Sequence, residues 1–279
     1  MPACPIWLPS IFGDNMVLQA GKPVVIWGQA CPGQTVRAEV AGRTARAVAD
    51  RRGAFALTLP VLKAGGPHRL RIATGRAERT IENVLIGEVW LGSGQSNMSW
   101  PVGRSTNARE EIAQATHPAI RLFTVSASAA TGPLDDIEGR WVECSPQTVA
   151  DFSAVAYFFG RDLHQSLGTP VGLIDSSWGG TKIEPWISLR ALRTYAGFAK
   201  LRKAFARYLG RAALAGGVES GFRKDGGNRG VALGWAAEGC GLGGWHATTL
   251  PGYWTQQRAP QVGGLLVPAD GPHPAVVGR

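Results

Sequence analysis

Val84-Leu85-Ile86-Gly87-Glu88-Val89-Trp90-Leu91 runs without a break into Gly92-Ser93-Gly94-Gln95-Ser96-Asn97-Met98. The first eight residues are mostly apolar, the pattern of a strand buried on both faces. The next seven form a glycine-rich turn. Open α/β sheets bind ligands beyond the carboxyl ends of their strands, so this junction is where a site is expected. Downstream, Ala119-Ile120-Arg121-Leu122-Phe123-Thr124-Val125 reads as a second strand and Val171-Gly172-Leu173-Ile174-Asp175 as a third. Between them residues 152–167 read as a helix, with Phe152, Val155, Phe159, Leu163 and Leu167 on one stripe and Gly168 as its C-cap. Strand, helix, strand in that order predicts an α/β domain with a parallel sheet. Residues 187–214 again read as mostly helical.

Upstream, residues 1–83 have a different texture. Val24-Val25-Ile26-Trp27, Thr35-Val36-Arg37-Ala38-Glu39-Val40, Ala54-Phe55-Ala56-Leu57-Thr58-Leu59 and His68-Arg69-Leu70-Arg71-Ile72 alternate apolar with polar residues. Turn signals such as Cys31-Pro32-Gly33-Gln34 and Ala64-Gly65-Gly66-Pro67 separate them. Short strands at this spacing suggest a small β-sandwich. The expected organisation is a β-sandwich over 1–83, a partial α/β/α domain over 84–215 and a glycine-rich tail over 216–279. Residues 210–279 hold 17 of the 38 glycines and show little periodicity.

With 279 residues, 44% hydrophobic and 18% charged, the chain has enough apolar material for a core. It has no apolar run near the roughly 20 residues of a membrane span. No signal peptide is visible at Met1-Pro2-Ala3-Cys4, which lacks a basic segment and an apolar segment. Four scattered cysteines without a C-x-x-C pair disfavour a zinc site or a dense disulfide framework. The net charge of +9 invites a nucleic-acid reading, but residues 200–230 alone supply +6 of it. A solvated helix face explains that run, and no nucleic-acid partner is expected.

Ser96 is the most informative residue. At the start of a helix after a buried strand it would be presented on a tight turn among free backbone N–H groups, which stabilise a developing oxyanion. Acyl transfer needs this of a serine nucleophile. A capping serine in a Gly-rich turn explains the same pattern. The motif is neither G-x-S-x-G nor G-x-G-x-x-G, since Asn97 stands at the third glycine position.

The block Gly87 to Met98 resembles the nucleophile block of the sialate O-acetylesterase family, within the SGNH hydrolases. Phe12-Gly13-Asp14-Asn15-Met16-Val17-Leu18-Gln19 resembles the opening of that family's N-terminal β-domain. Phe152-Ser153-Ala154-Val155-Ala156-Tyr157-Phe158-Phe159-Gly160 resembles its helix after the nucleophile. Val171-Gly172-Leu173-Ile174 through Trp178-Gly179-Gly180-Thr181-Lys182-Ile183-Glu184-Pro185-Trp186 resembles its second glycine block. The similarity covers about residues 8–195. It implies an incomplete SGNH-type hydrolase domain with Ser96 as nucleophile. The N–H groups of Ser96 and of Gly179 or Gly180 would be oxyanion donors, with Gln95, Asn97 and Trp178 beside the substrate. It implies O-acetylated carbohydrate, such as sialic acid or a polysaccharide, as substrate, and no metal or organic cofactor. Family members are often exported.

The family's Gln-Gly-Glu block is absent from this sequence, and its Asp/His block, which supplies the general base, is expected beyond residue 279. Five histidines remain: His68, His117, His164, His246 and His273. His273, in Asp270-Gly271-Pro272-His273-Pro274, superficially matches the Asp/His block and gives Asp270 and His273 as the candidate acid/base pair. Leu250 to Trp254 resembles the start of a jelly-roll insert carried by some members. The composition breaks around 215–245 and after Gln261 read as a disrupted reading frame, which resequencing tests. A catalytically incomplete fragment that binds glycans is therefore the alternative to an active esterase.

Overall fold

The computed structural model describes residues 5–130 and 132–192, then Thr194, Gly197 and the short pairs His246–Ala247 and Val277–Gly278. The chain divides into two compact units, Met1–Ala196 and Gly197–Arg279. The first is a mixed α/β structure dominated by one sheet.

Its early strands are β1 Val17–Gln19, β2 Val24–Gln29, β3 Thr35–Val40, β4 Arg43–Val48, β5 Ala54–Leu59 and β6 Gly65–Ala73. β2 and β5 pair antiparallel as a separate two-stranded sheet, Val24 opposite Leu59 through Gln29 opposite Ala54. Both bury every second residue, as alternation requires when only one face is covered. Ile26, Leu57 and Leu59 meet Val36, Ala38, Leu70, Ile72 and Ile81 of the larger sheet in one apolar cluster.

β7, Glu78–Gly94, is 17 residues long and joins the two parts of the unit. Its first part pairs antiparallel with β6. Its last part, residues 88–94, pairs parallel with β10, Val171–Ser177. The expected boundary between residues 83 and 84 thus falls inside a continuous strand. β10 also pairs parallel with β8, His117–Thr124, and β8 pairs antiparallel with β9, Trp141–Cys144. The sheet order is β4-β3-β6-β7-β10-β8-β9, with β1 parallel against β7.

Three short or long helices complete the described part: α1 Ala108–Gln114, α2 Ala154–Leu167 and α3 Leu189–Leu192. α3 is the helical part of the helix expected over 187–214; Ile187 before it is in extended backbone, Thr194 and Gly197 are in turns, and the remaining residues lie outside the described ones. α2 ends at Gly168 in the left-handed region (φ 64), as expected of its C-cap. The expected stripe is buried only in part: Phe152, just before the helix, and Leu163 pack into the second apolar cluster. Ala154, Ala156, Tyr157 and Gly160 are buried, whereas Val155, Phe159 and Leu167 are exposed. Gly160 lets the helix close on the sheet, since a Cβ there would stand 2.5 Å from Leu173 Cδ1, and Tyr157 is the large side chain buried on that face. The second apolar cluster lies under this face and includes Ile120, Leu122, Val171 and Leu173.

The run that opens the hydrolase-like part is also buried differently from expectation. Val84, Leu85 and Ile86 are buried, but Trp90 is 45% and Leu91 65% exposed. Burial on both faces therefore ends near Gly87. In the second unit, His246–Ala247 pairs antiparallel with Val277–Gly278.

Candidate active site

β7 and β10 run parallel and end together, Gly94 opposite Ser177. The turn after β7 carries Ser96. Ser99 N–H donates to the Gln95 carbonyl at 2.9 Å, which closes a single helical turn over 95–99. Only a 3-10 turn, Val102–Arg104, follows it, not the α-helix expected from the sequence. Pro101 comes five positions after Ser96 and disfavours helical geometry at Trp100. The Trp100 carbonyl instead accepts from Ala154 N–H at 2.8 Å. Ser96 therefore has local N–H groups around it but no helix dipole of its own.

Ser96 is exposed. Its hydroxyl donates to Gln95 Oε1 at 3.0 Å, and its N–H donates to the same oxygen at 3.2 Å. Both donors converging on one atom fix that atom as the amide oxygen, because an amide nitrogen could not accept them. The N–H assigned to an oxyanion is thus held by a neighbouring side chain in this state.

The turn after β10 brings the second glycine block to the first. Trp178 N–H donates to the Gly94 carbonyl at 2.9 Å. A Cβ placed on Gly179 would stand 3.6 Å from Ser96 Cα and 3.8 Å from Ser96 Cβ. Ser99 Oγ would be nearer still, at 3.4 Å, so Gly179 lies in ordinary contact distance of the serine turn. Gly180 adopts φ 77 with open space around it, the left-handed conformation that favours glycine. Thr181 Oγ1 donates to the Trp178 carbonyl at 2.8 Å and accepts from Trp186 Nε1 at 2.9 Å, which ties the turn to the 3-10 turn over Glu184–Trp186.

The start of α2 supports the Ser96 turn from the other side. Ser153 caps the helix by accepting from Ala156 N–H at 3.2 Å, and its own hydroxyl donates to the Met98 carbonyl at 2.6 Å. Pro101 and Ser153 form an isolated antiparallel bridge. This link was not recognised from the sequence; Ser153 directly before an apolar helical run is the signal that marks the cap.

Among the expected site residues, Gln95, Ser96, Trp178 and Gly179 are brought together. Asn97 lies on the same turn and is exposed. Asp270 and His273 lie outside the described residues. His117 opens β8 and His164 lies in the last turn of α2, so both belong to the end of the sheet opposite Ser96. His164 Nδ1 is within 2.6 Å of the Thr169 carbonyl. Burial, then the charges of His164 and Arg161, push the His117 imidazole below its ordinary value. His68 is in β6, opposite Val84. Among the described residues no imidazole or carboxylate hydrogen-bonds the Ser96 hydroxyl, and no cluster of three or more His, Cys, Asp or Glu fits a metal ion. The Cys144 thiol, buried in the second cluster, is pushed up to about 12 by burial and is inert packing. A hollow of about 440 Å³ is lined by Thr124, Ser126, Glu138, Arg140 and Phe152 and does not include Ser96. No helix among the described residues is long and apolar enough to cross a membrane.

No protein-family model matches the chain. The sequence is 34% identical over 201 residues to the sialate O-acetylesterase of Mus musculus, covering 64% of this chain and 37% of the mouse protein. It is 35% identical over 209 residues to the sialate O-acetylesterase of Homo sapiens, covering 66% of this chain and 39% of the human one. The structure is similar to that of a carbohydrate acetylesterase from Xanthomonas citri, with a TM-score of 0.66 and 34% identity, over 68% of this chain and 44% of the other. The chain spans about two fifths of the length of the curated relatives it matches.

Proposed function

We infer, from a chain that belongs with the sialate O-acetylesterases over about two thirds of its own length, an esterase that removes O-acetyl groups from sugars. The observation that carries this reading is the seating of Gly179 against Ser96 at the shared end of β7 and β10. It supports an acyl-transfer site because a nucleophilic hydroxyl and backbone N–H donors on a second segment must face one reacting carbonyl. We read residues 1–83 as a β-sandwich, 84–215 as the first part of an SGNH-type α/β/α domain, and 216–279 as a glycine-rich tail.

In this mechanism Ser96 Oγ attacks the acetyl carbonyl carbon. The carbonyl π electrons move to oxygen, and the N–H groups of Ser96 and of Gly179 or Gly180 stabilise the charge. Gln95 Oε1 must release the Ser96 N–H for this, so the substrate oxygen replaces an amide oxygen as acceptor. A histidine takes the Ser96 proton and passes it to the sugar oxygen as the tetrahedral intermediate collapses. Water then hydrolyses the acetyl-serine. His273, oriented by Asp270, is the candidate base. Asn97, Gln95 and Trp178 are the candidate contacts to the sugar.

Acetate release from O-acetylated sialic acid and acetylated xylan, wild type against Ser96→Ala, tests this reading. Release that is lost in the variant supports it; release that persists in the variant overturns the role of Ser96. A second reading, an incomplete hydrolase fragment that binds glycans, is favoured by one observation: among the described residues the Ser96 hydroxyl is bonded to the Gln95 amide oxygen and to no imidazole or carboxylate. A folded wild type that binds an acetylated glycan and leaves its ester intact supports that reading instead.

A further inference from the structure

Asp175 is the one buried acid among the described residues, only 6% exposed, and it takes part in none of their ion pairs. Its Oδ1 is buried without a hydrogen-bond partner. Burial pushes the carboxyl above its ordinary value, and the Ser177 side chain is the polar group that opposes this. A buried carboxyl with one oxygen unpartnered costs stability, and an apolar residue would serve a strand interior better.

Its place in the sheet gives the cost a purpose. Asp175 lies two residues before the end of β10, opposite Gly92 on β7 and Thr124 on β8. Side chains alternate along a strand, so Asp175 shares the face of Leu173, which packs against Gly160 of α2. On that face Gly92 offers no side chain. A Cβ there would stand 3.3 Å from Met98 Sδ and 3.6 Å from Ala156 Cβ. The strand position beside Asp175 is therefore roofed by Met98, two residues after Ser96, and by the first turn of α2. Ser177 is next on the same face, opposite Gly94, and Trp178 N–H binds the Gly94 carbonyl. Gly179, seated on Ser96, follows directly.

We propose that Asp175 is a positioning residue for Ser96. Its carboxyl holds Ser177, and Ser177 sets the path of the Trp178–Gly179 turn against the Ser96 turn. The proposal rests on Ser96 as nucleophile for its importance, but its geometry can be read without turnover.

The test is hydrogen–deuterium exchange on the full 279-residue chain, with acetate release measured in parallel. Asp175→Ala is expected to speed exchange of the Trp178 amide and of residues 94–99 roughly tenfold, the effect of losing one buried hydrogen bond. The α2 amides from Tyr157 onward should stay within about twofold. Asp175→Asn, which keeps an acceptor of the same shape, should restore most of the protection, and Ser177→Ala should reproduce the local loss. Where the wild type turns over, kcat falls with the lost protection and KM stays nearly constant. Wild-type exchange at Trp178 in both Asp175→Ala and Ser177→Ala overturns the proposal. So does equal acceleration across α2 and β8, which marks an ordinary packing residue. If Asp175→Ala does not fold, Ser177→Ala at its half-buried site decides by the same criterion. A wild type that releases no acetate counts against the esterase reading alone.

Discussion

β2 and β10 are both strands of six or seven residues, yet they bury their side chains by different rules. β2, Val24–Gln29, buries every second residue. β10, Val171–Ser177, buries Val171, Gly172 and Leu173 in succession and then opens toward Ser176 and Ser177. The first lies in a two-stranded antiparallel sheet with one covered face; the second is hydrogen-bonded on both sides by parallel neighbours and has apolar groups on both faces. One region concentrates stability in its interior. The other spends its interior on holding two glycine turns together where it reaches solvent. Substitutions should therefore separate the two: β2 and β5 control folding, and the ends of β7 and β10 control chemistry.

Leu57 on β5 is 1% exposed, and Leu57→Ala should cost about 2–5 kcal/mol by lost transfer energy and a cavity. Urea unfolding checks this, with turnover of the remaining folded protein unchanged. A loss of turnover beyond the loss of folded protein would break the separation. Gly179→Val should do the reverse. Its branched side chain grows from a Cβ already in contact with Ser99 and Ser96, so acetate release is expected to fall roughly 10²–10³-fold, the scale of a disturbed oxyanion site, while the unfolding midpoint holds. Ser153→Ala should blur the boundary. It removes the α2 cap and the hydrogen bond to the Met98 carbonyl, so stability drops about 1–2 kcal/mol and the Ser96 turn loosens in exchange measurements.

The smallest effect is pH-dependent and concerns Asp175. A buried acid whose folded pKa is raised binds its proton more tightly folded than unfolded. The folded state thus carries no penalty where both states are protonated, and loses stability as pH rises from the unfolded value through the folded one. Asp175→Asn lacks this term. Its melting temperature relative to wild type should rise as pH goes from 3 toward 7, and a difference that is flat with pH would contradict the sign.

The same contrast explains what the sequence discloses. β3 and β5 begin and end where alternation places them, because one covered face leaves a period of two. β4, Arg43–Val48, escapes detection because none of its residues is fully buried and its arginines and threonine spoil the pattern. α1 escapes for a similar reason: Ala108–Gln114 has no buried residue to mark a stripe. On α2 the apolar stripe misleads in part, because Gly160 and Ala156 pack more closely than Phe159 and Val155 can. Ser96 is legible as a strand-end serine. Its proximity to Gly179 depends on β10 pairing beside β7, which local sequence does not encode. Asp175 hides inside an apolar strand motif, where a single acid reads as a strand end rather than as a buried group.

The most direct test of Ser96 as nucleophile is mass spectrometry of the chain quenched in acid during turnover of an activated acetate ester. The account predicts one acetyl group on the peptide that contains Ser96, absent from Ser96→Ala, whose acetate release is also lost. Acetyl groups confined to other residues, or acetate release that survives in Ser96→Ala, would contradict it.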